Sequence, residues 1–214
     1  MTMTQGCFVV VEGLEGAGKS TVIKTIKQAL ESRQLTVVTT REPGGTHIGE
    51  TIRHLIKEPR PQEPMSAYTE LLLLYAARVQ LLDQVIRPAL KKGEWVLADR
   101  FELSTFAYQG GGRQIDWNII DAISRIALQG FQPDLILFLD IHPERGMERV
   151  TQRGESDRIE QESQAFFDRV NQAYHKKIKS LDNVALIDAS QTLEAVQKSA
   201  LLHLENFLTR HAAL

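Results

Sequence analysis

With 214 residues, 25 basic against 27 acidic side chains and a formal net charge of -2, the chain suits one α/β domain with a real core and carries no global field that would select nucleic acid or an anionic membrane. The single cysteine, Cys7, excludes an internal disulfide and fits a reducing, cytoplasmic setting, and no apolar run reaches bilayer length. Any anion site must therefore be a local cluster of arginines.

Taken in order, the apolar run Phe8-Val9-Val10-Val11 reads as a strand that runs into Gly13-Leu14-Glu15-Gly16-Ala17-Gly18-Lys19-Ser20. That segment satisfies the phosphate-cradling pattern G-x-x-x-x-G-K-[ST] at every specified position. The glycines let successive backbone N–H groups curl inward at phosphate oxygens, with the positive end of the next helix behind them. Lys19 adds a point charge for the terminal phosphates, the Ser20 hydroxyl offers a magnesium ligand, and Thr21 follows at the helix start. Glu15 is the odd member, because a carboxylate beside bound phosphate should repel it.

Residues 21–32 carry Ile23, Ile26, Ala29 and Leu30 at helical spacing, and 35–39 is β-branched and reads as a second strand. It leads into the loop Arg41-Glu42-Pro43-Gly44-Gly45-Thr46, on the side where α/β sheets hold ligands. A helix over 48–57, an extended proline-rich loop over 58–64 and a long helix capped by Ser66 follow, the last closing between Pro88 and Gly93. Its apolar face is broad, as expected for burial on more than one side. Residues 95–98 read as a third strand ending in Asp99-Arg100. A short helical segment over 104–109 then precedes Gly110-Gly111-Gly112-Arg113, read as flexible. Asp116 caps a helix to 129, and 135–139 is the most apolar strand, expected at the centre of the sheet and buried on both faces. A helix over 143–152, a charged segment Arg153-Gly154-Glu155-Ser156-Asp157-Arg158, a helix over 161–181, a strand over 184–187 and a last helix over 192–209 complete the chain. Alternating strands and helices predict a single domain over 1–214 with the P-loop NTPase fold: a five-stranded parallel sheet covered by helices on both faces, with a lid segment near 153–160.

The arginines narrow the chemistry. Arg41, Arg78, Arg100, Arg149, Arg153 and Arg158 fall at strand ends, on helix faces beside the ligand edge, or in the charged segment. Phosphoryl transfer between two nucleotides explains such a collection, because about four negative charges on ATP oppose the nearly two on a nucleoside monophosphate until cations neutralise the site. The acceptor phosphate, with a second pKa of about 6, is already a nucleophile, so no general base is required.

Five segments in order then resemble the bacterial thymidylate kinases: Glu12 to Ser20, Thr40 to Thr46, Tyr75-Ala76-Ala77-Arg78, Asp99-Arg100 with Tyr108 to Arg113, and Arg153 to Glu160. The resemblance implies transfer of the γ-phosphate of ATP to dTMP in a homodimer, with magnesium arriving on the nucleotide. It implies that Glu15 faces the acceptor sugar, that Arg41 and Arg100 meet the acceptor phosphate with Pro43 beside the sugar, and that Arg78 reads a pyrimidine carbonyl. Ser104, Tyr108 and Gln109 match positions lining the base and sugar pocket, and Asp99 matches one reaching the magnesium shell through water. The family's stacking aromatic is replaced here by Leu74, with Tyr75 beside it; both spacings reach Arg78. The phosphate loop carries Gly16 and Ala17 where other members have a basic residue, so the transferring charge falls to a lid arginine, Arg153 or Arg158, with Arg149 one turn earlier. Another nucleoside monophosphate or deoxynucleoside kinase shares much of this pattern. A GTP-driven switch would need an Asn-Lys-x-Asp segment, which the sequence lacks. The six histidines form no i, i+4 pair, and no protein-held metal site is expected.

Overall fold

The computed structural model describes residues 6–152, 154 and 157–211. All six residues of strand β1 (Phe8–Gly13) are buried. On one side it pairs in parallel with β3 (Trp95–Asp99) and on the other with β4 (Leu135–Asp140); β2 (Val37–Arg41) and β5 (Val184–Asp188) form the edges, giving the order β2-β3-β1-β4-β5. The expected five-stranded parallel sheet is thus present. Its middle strand is β1, not β4, because β4 stands one place from the centre; flanked on both sides, it is still buried on both faces. The edge strands mix half-buried and exposed residues, with Ile187 of β5 buried, as fits positions with a neighbour on one side only.

Strand β2 begins two residues later than periodicity suggests. Leu35 still donates to Leu30 O at the end of α1 (Lys19–Glu31), and parallel pairing runs from Val37 to Arg41, opposite Asp99. Arg41 therefore lies in the strand end itself. Helix α2 (His47–Lys57) starts on Thr46, whose hydroxyl accepts from Gly49 N. Helix α3 (Ala67–Leu81) is capped by Ser66, as its sequence predicts. It does not run on uninterrupted. A π-helical turn, Leu82–Ile86, separates it from α4 (Arg87–Lys91), and Arg87 N reaches back five residues to Leu82 O. Pro88 has no N–H for an i→i-4 bond, so the chain widens by one residue beside it.

A second π-helical turn, Phe106–Gly112, continues the short helix α5 (Glu102–Thr105). The three glycines read as flexible are in fact packed. A Cβ on Gly110 would lie 2.4 Å from the Trp117 ring nitrogen, on Gly111 2.4 Å from Ala173 Cβ, and on Gly112 2.4 Å from Phe166. Glycine here permits close approach to α6 (Trp117–Leu128) and α8 (Gln164–Ile178) rather than motion. Helix α7 (Pro143–Thr151) follows β4, and α9 (Leu193–His211) closes the chain against α1. Among the described residues no helix is long and apolar enough to cross a membrane.

Candidate functional site

One cleft of about 440 Å³ opens at the C-terminal edge of β1, β2 and β3. Its floor is the turn from β1 to α1. Gly16 has φ 72°, and a Cβ there would lie 2.2 Å from Gly146 O, so the loop and α7 approach backbone to backbone. Gly18, with φ 91°, sits at the start of α1 and aims the first N–H groups of that helix outward. Gly16, Gly18, Lys19, Ser20 and Thr21 line the cleft. Leu14 and Ala17 face the core instead, 3% and 2% exposed, and with Gly13 they shape the loop without presenting side chains to the cleft. The Lys19 ammonium donates to Gly13 O at 3.1 Å and Leu14 O at 2.9 Å. Burial, helped by the Arg100 charge, lowers its pKa to about 8 against the opposing pull of Asp99, Glu15 and Glu12.

Facing the loop, Arg100 follows β3 with φ 70°. Its guanidinium donates to Ser104 Oγ at 3.0 Å, Tyr174 Oη at 3.0 Å, Glu15 Oε1 at 2.8 Å and Tyr108 Oη at 3.1 Å, while Tyr108 also donates to Glu15. Burial works to raise the Glu15 pKa, but the charges of Arg100 and Lys19 and the Tyr108 hydrogen bond prevail and hold it below the usual range. Glu15, Arg100, Ser104 and Tyr108, all expected on the acceptor side, thus form one connected group. Beneath them lies a residue with no role assigned from sequence. Glu12, fully buried, accepts from Phe101 N at 2.8 Å, Ser104 N at 3.2 Å, Ser104 Oγ at 2.6 Å and Tyr174 Oη at 3.2 Å. Burial pushes its pKa up, against the Arg100 charge and these bonds. A carboxylate ending an otherwise apolar strand was the available signal.

At the far end, Arg78 is 2% exposed and pairs with Glu42, Nε to Oε2 at 2.7 Å and Nη2 to Oε2 at 2.6 Å, with Nη2 also donating to Thr105 Oγ1 at 2.9 Å. Among the described residues Arg78 Nη1 and Glu42 Oε1 are buried without a partner. A donor and an acceptor left open beside a cleft are what a flat polar ring edge needs. Leu74 lines this end. Tyr75 does not: its ring packs with Leu71, Phe106, Ile115 and Ile120, its hydroxyl donates to Glu102 Oε1 at 2.9 Å, and Arg78 Cζ lies 4.9 Å from its centroid. Tyr75 therefore supports Arg78 from behind, because a neighbouring helix residue points about 100° away. Phe101, which sequence reasoning missed, lines the cleft on this side with Arg78 Cζ 5.2 Å from its ring centroid. Gln109 also lines this end, donating its amide to Glu70 Oε1 at 2.7 Å.

Arg41 and Pro43 line the third side, with Arg41 held by Glu50 at 2.8 Å. Arg53 joins them, donating to Pro43 O at 2.9 Å; on a helix with regular polar positions it reads as a solvated residue, so its sequence carries no warning. Asp99 lines the cleft between the two halves, and its Oδ1 is buried without a partner among the described residues.

The lid candidates separate. Arg149 lines the cleft and donates to Gly16 O at 3.0 Å. Arg153 lies outside the described residues. Arg158 is turned away from the cleft: its backbone N donates to Lys57 O at 2.9 Å, its Nε to Ile56 O at 2.6 Å, and its guanidinium pairs with Glu70. It faces a separate groove with Arg60 and Arg113, not the cleft, and ties the 157–162 turn to α2 and α3. Burial would draw a carboxylate like Glu70 toward neutrality, and a nearby arginine is the usual remedy. Among the described residues no cluster of His, Cys, Asp and Glu could hold a metal by itself.

A model of the thymidylate kinase family matches residues 11–200. The chain is 51% identical over 208 residues to a protein named thymidylate kinase from Legionella pneumophila (strain Corby), covering 97% of this chain and 98% of that one. A thymidylate kinase from Shewanella sp. (strain MR-4) is 48% identical over 206 residues, covering 96% and 98%.

Proposed function

The chain belongs to the thymidylate kinase family, and from that premise we propose that its cleft holds ATP on the phosphate loop and dTMP between Arg100 and Arg78, and transfers the γ-phosphate in line from one to the other. One observation carries the reading: a single cleft joins the Lys19–Ser20 end to the open Arg78 Nη1 donor, with the Arg100–Glu15–Tyr108 group between them. Neutralising two polyanions in one enclosure is the main task of such a catalyst, and cations fixed by their own partners need no reorganisation at the moment of reaction.

Lys19 leaves the Gly13 and Leu14 carbonyls for the phosphates of ATP. Arg100, with Arg41 and Arg53 across the cleft, receives the acceptor phosphate, and Glu15 and Tyr108 take the sugar side. Ser104 acts through Arg100 and Glu12. Arg78 donates to a pyrimidine carbonyl, Gln109 meets the ring edge, and Leu74 and Phe101 cover the ring. Arg149, and Arg153 from the 153–160 lid, stabilise the charge in transit. The donor set fits magnesium bound to ATP: the Ser20 hydroxyl would ligate it and the open Asp99 Oδ1 would accept from its water shell. When bound, that ion offsets phosphate charge; the protein's own groups orient the two nucleotides.

The whole chain acts as one catalytic domain, in a cytoplasmic setting consistent with its single cysteine. Helices α3 and α6, which pack together, leave Tyr68, Leu72 and Ile126 more than half exposed, a face suited to a second copy in a homodimer. A coupled assay of ADP release with ATP, magnesium and a panel of dTMP, dUMP, UMP, dCMP, AMP and thymidine tests the reading. Turnover fastest with dTMP is expected; turnover fastest with any other acceptor overturns it.

A further inference from the structure

Glu70 sits in the first turn of α3 and is 1% exposed. Its Oε1 accepts from Gln109 Nε2 at 2.7 Å and Arg113 Nε at 3.2 Å, and its Oε2 from Arg113 Nη2 at 3.2 Å and from the Arg158 guanidinium. Burial works to raise its pKa, but the bonds from Arg113, Gln109 and Arg158 prevail and hold it below the usual carboxylate range. An ionised carboxylate only accepts. The end of the Gln109 amide that meets Oε1 is therefore its NH₂, which leaves the carbonyl oxygen, beside the second N–H, for the cleft that Gln109 lines. The orientation of a glutamine amide, often ambiguous, is here dictated by chemistry.

That orientation has a consequence for the acceptor base. A pyrimidine-2,4-dione carries an N–H donor at ring position 3, which an amide oxygen accepts. A cytosine ring presents a lone pair there, which an amide oxygen repels. We propose that Glu70 is a positioning and specificity-determining residue, which locks the Gln109 amide with its oxygen toward the base and so favours dione over cytosine acceptors. The inference rests on the reading of this cleft as the dTMP site. It also predicts what neutralising Glu70 does. Two arginine donors, Arg113 Nη2 and Arg158 Nη2, meet the Oε2 place and one, Arg113 Nε, meets the Oε1 place, so an amide at position 70 keeps its oxygen at Oε2 and sets its NH₂ against Gln109, giving up the Arg113 Nε bond. Gln109 then turns around and offers NH₂ to the cleft.

Steady-state kcat/KM for dTMP and for dCMP, measured with wild type, Glu70→Gln and the exchange variant Glu70→Gln/Gln109→Glu, tests this. In Glu70→Gln the dTMP-to-dCMP ratio is expected to fall at least about tenfold, which is about 1.4 kcal/mol, with the KM for ATP unchanged. Arg78 still reads its carbonyl, so the preference weakens rather than inverts. In the exchange variant, a carboxylate at position 109 accepts from the amide at 70 and keeps an acceptor facing the base, and most of the ratio is expected to return. An unchanged ratio, an equal fall for both acceptors, or no recovery in the exchange variant overturns the proposal. If Glu70→Gln does not fold, the wild-type Gln109 side-chain NH₂ resonances, identified by their loss in Gln109→Ala, decide: slow solvent exchange before dTMP is added supports the lock, and fast exchange refutes it. Wild type that fails to phosphorylate dTMP would overturn the proposed activity itself, whereas dTMP turnover with an unaltered ratio in Glu70→Gln removes only the role of Glu70.

Discussion

Truncating Arg100 to alanine removes four donated hydrogen bonds, yet strands only one partner. The Ser104 and Tyr174 hydroxyls also donate to Glu12, and the Tyr108 hydroxyl donates to Glu15, so all three keep a bond after Arg100→Ala. Glu15, its side chain 15% exposed, loses its ion-pair partner but keeps the nearby Lys19 charge. Breaking a buried ion pair from one side costs about 3–5 kcal/mol, and the remaining Tyr108 bond places this case near about 3 kcal/mol. For a chain of this size that lowers the melting temperature by roughly 6–12 °C. The catalytic loss is separate. One oriented cation withdrawn from a developing phosphoryl charge costs about 2.7–4 kcal/mol, or roughly 10²–10³ in kcat. Adding Glu15→Gln to Arg100→Ala takes away the orphaned charge, so the double variant should recover most of the melting temperature and none of the kcat. Thermal unfolding and the coupled assay, with KM taken separately for ATP and dTMP, read both. Recovery of kcat in the double variant, or a rise in KM for ATP as large as that for dTMP, would refute the assignment of Arg100 to the acceptor.

Lys19, lowered to about 8, is a cation below that pH and neutral above it; kcat/KM for ATP should fall as pH rises through about 8, while kcat, set by enzyme whose bound phosphates raise the Lys19 pKa, stays level further up. A kcat/KM profile flat to about pH 9 would contradict this. Leu74→Phe places an aromatic surface at the proposed base site and should lower the KM for dTMP about two- to twelvefold, through about 0.5–1.5 kcal/mol of ring contact. Tyr75→Phe, in contrast, should leave that KM unchanged and cost about 1 kcal/mol of stability through the lost Glu102 bond; a changed KM would return Tyr75 to the base pocket. Gly111→Ala places a methyl 2.4 Å from Ala173 Cβ and 2.7 Å from Arg169 O, and should destabilise by about 3 kcal/mol in urea unfolding. An unchanged midpoint would mean that the π-helical turn yields, as a flexible tract would.

Local chemistry made much of this protein legible in one dimension. The phosphate loop depends on glycine conformations, one lysine and one hydroxyl within eight consecutive residues, so its position and orientation at the head of α1 follow directly from sequence. Apolar runs carried the three inner strands, because a strand buried on both faces must be apolar throughout, and the alternation of strands with helices carried the parallel arrangement. Strand ends shifted where pairing decided them, as at β2, whose start is set by β3 and not by its own β-branched run.

Long-range partners were invisible in that record. Nothing near Tyr75 in sequence says that its hydroxyl finds Glu102, or that Phe101 lines the cleft. Glu12, Arg53 and Glu70 are ordinary charged residues until folding removes their water and obliges each to find partners far along the chain. Arg158 shows the difference most clearly. As part of a charged run it is one of several equivalent candidates for the transferring phosphate. In the folded chain a buried carboxylate 88 residues away claims its guanidinium and makes it an anchor. Residue type and spacing determined which groups this chain has for phosphate chemistry. Which of them face the cleft was decided by the tertiary structure, because a buried charge goes where its desolvation can be offset, and that place is defined only in three dimensions.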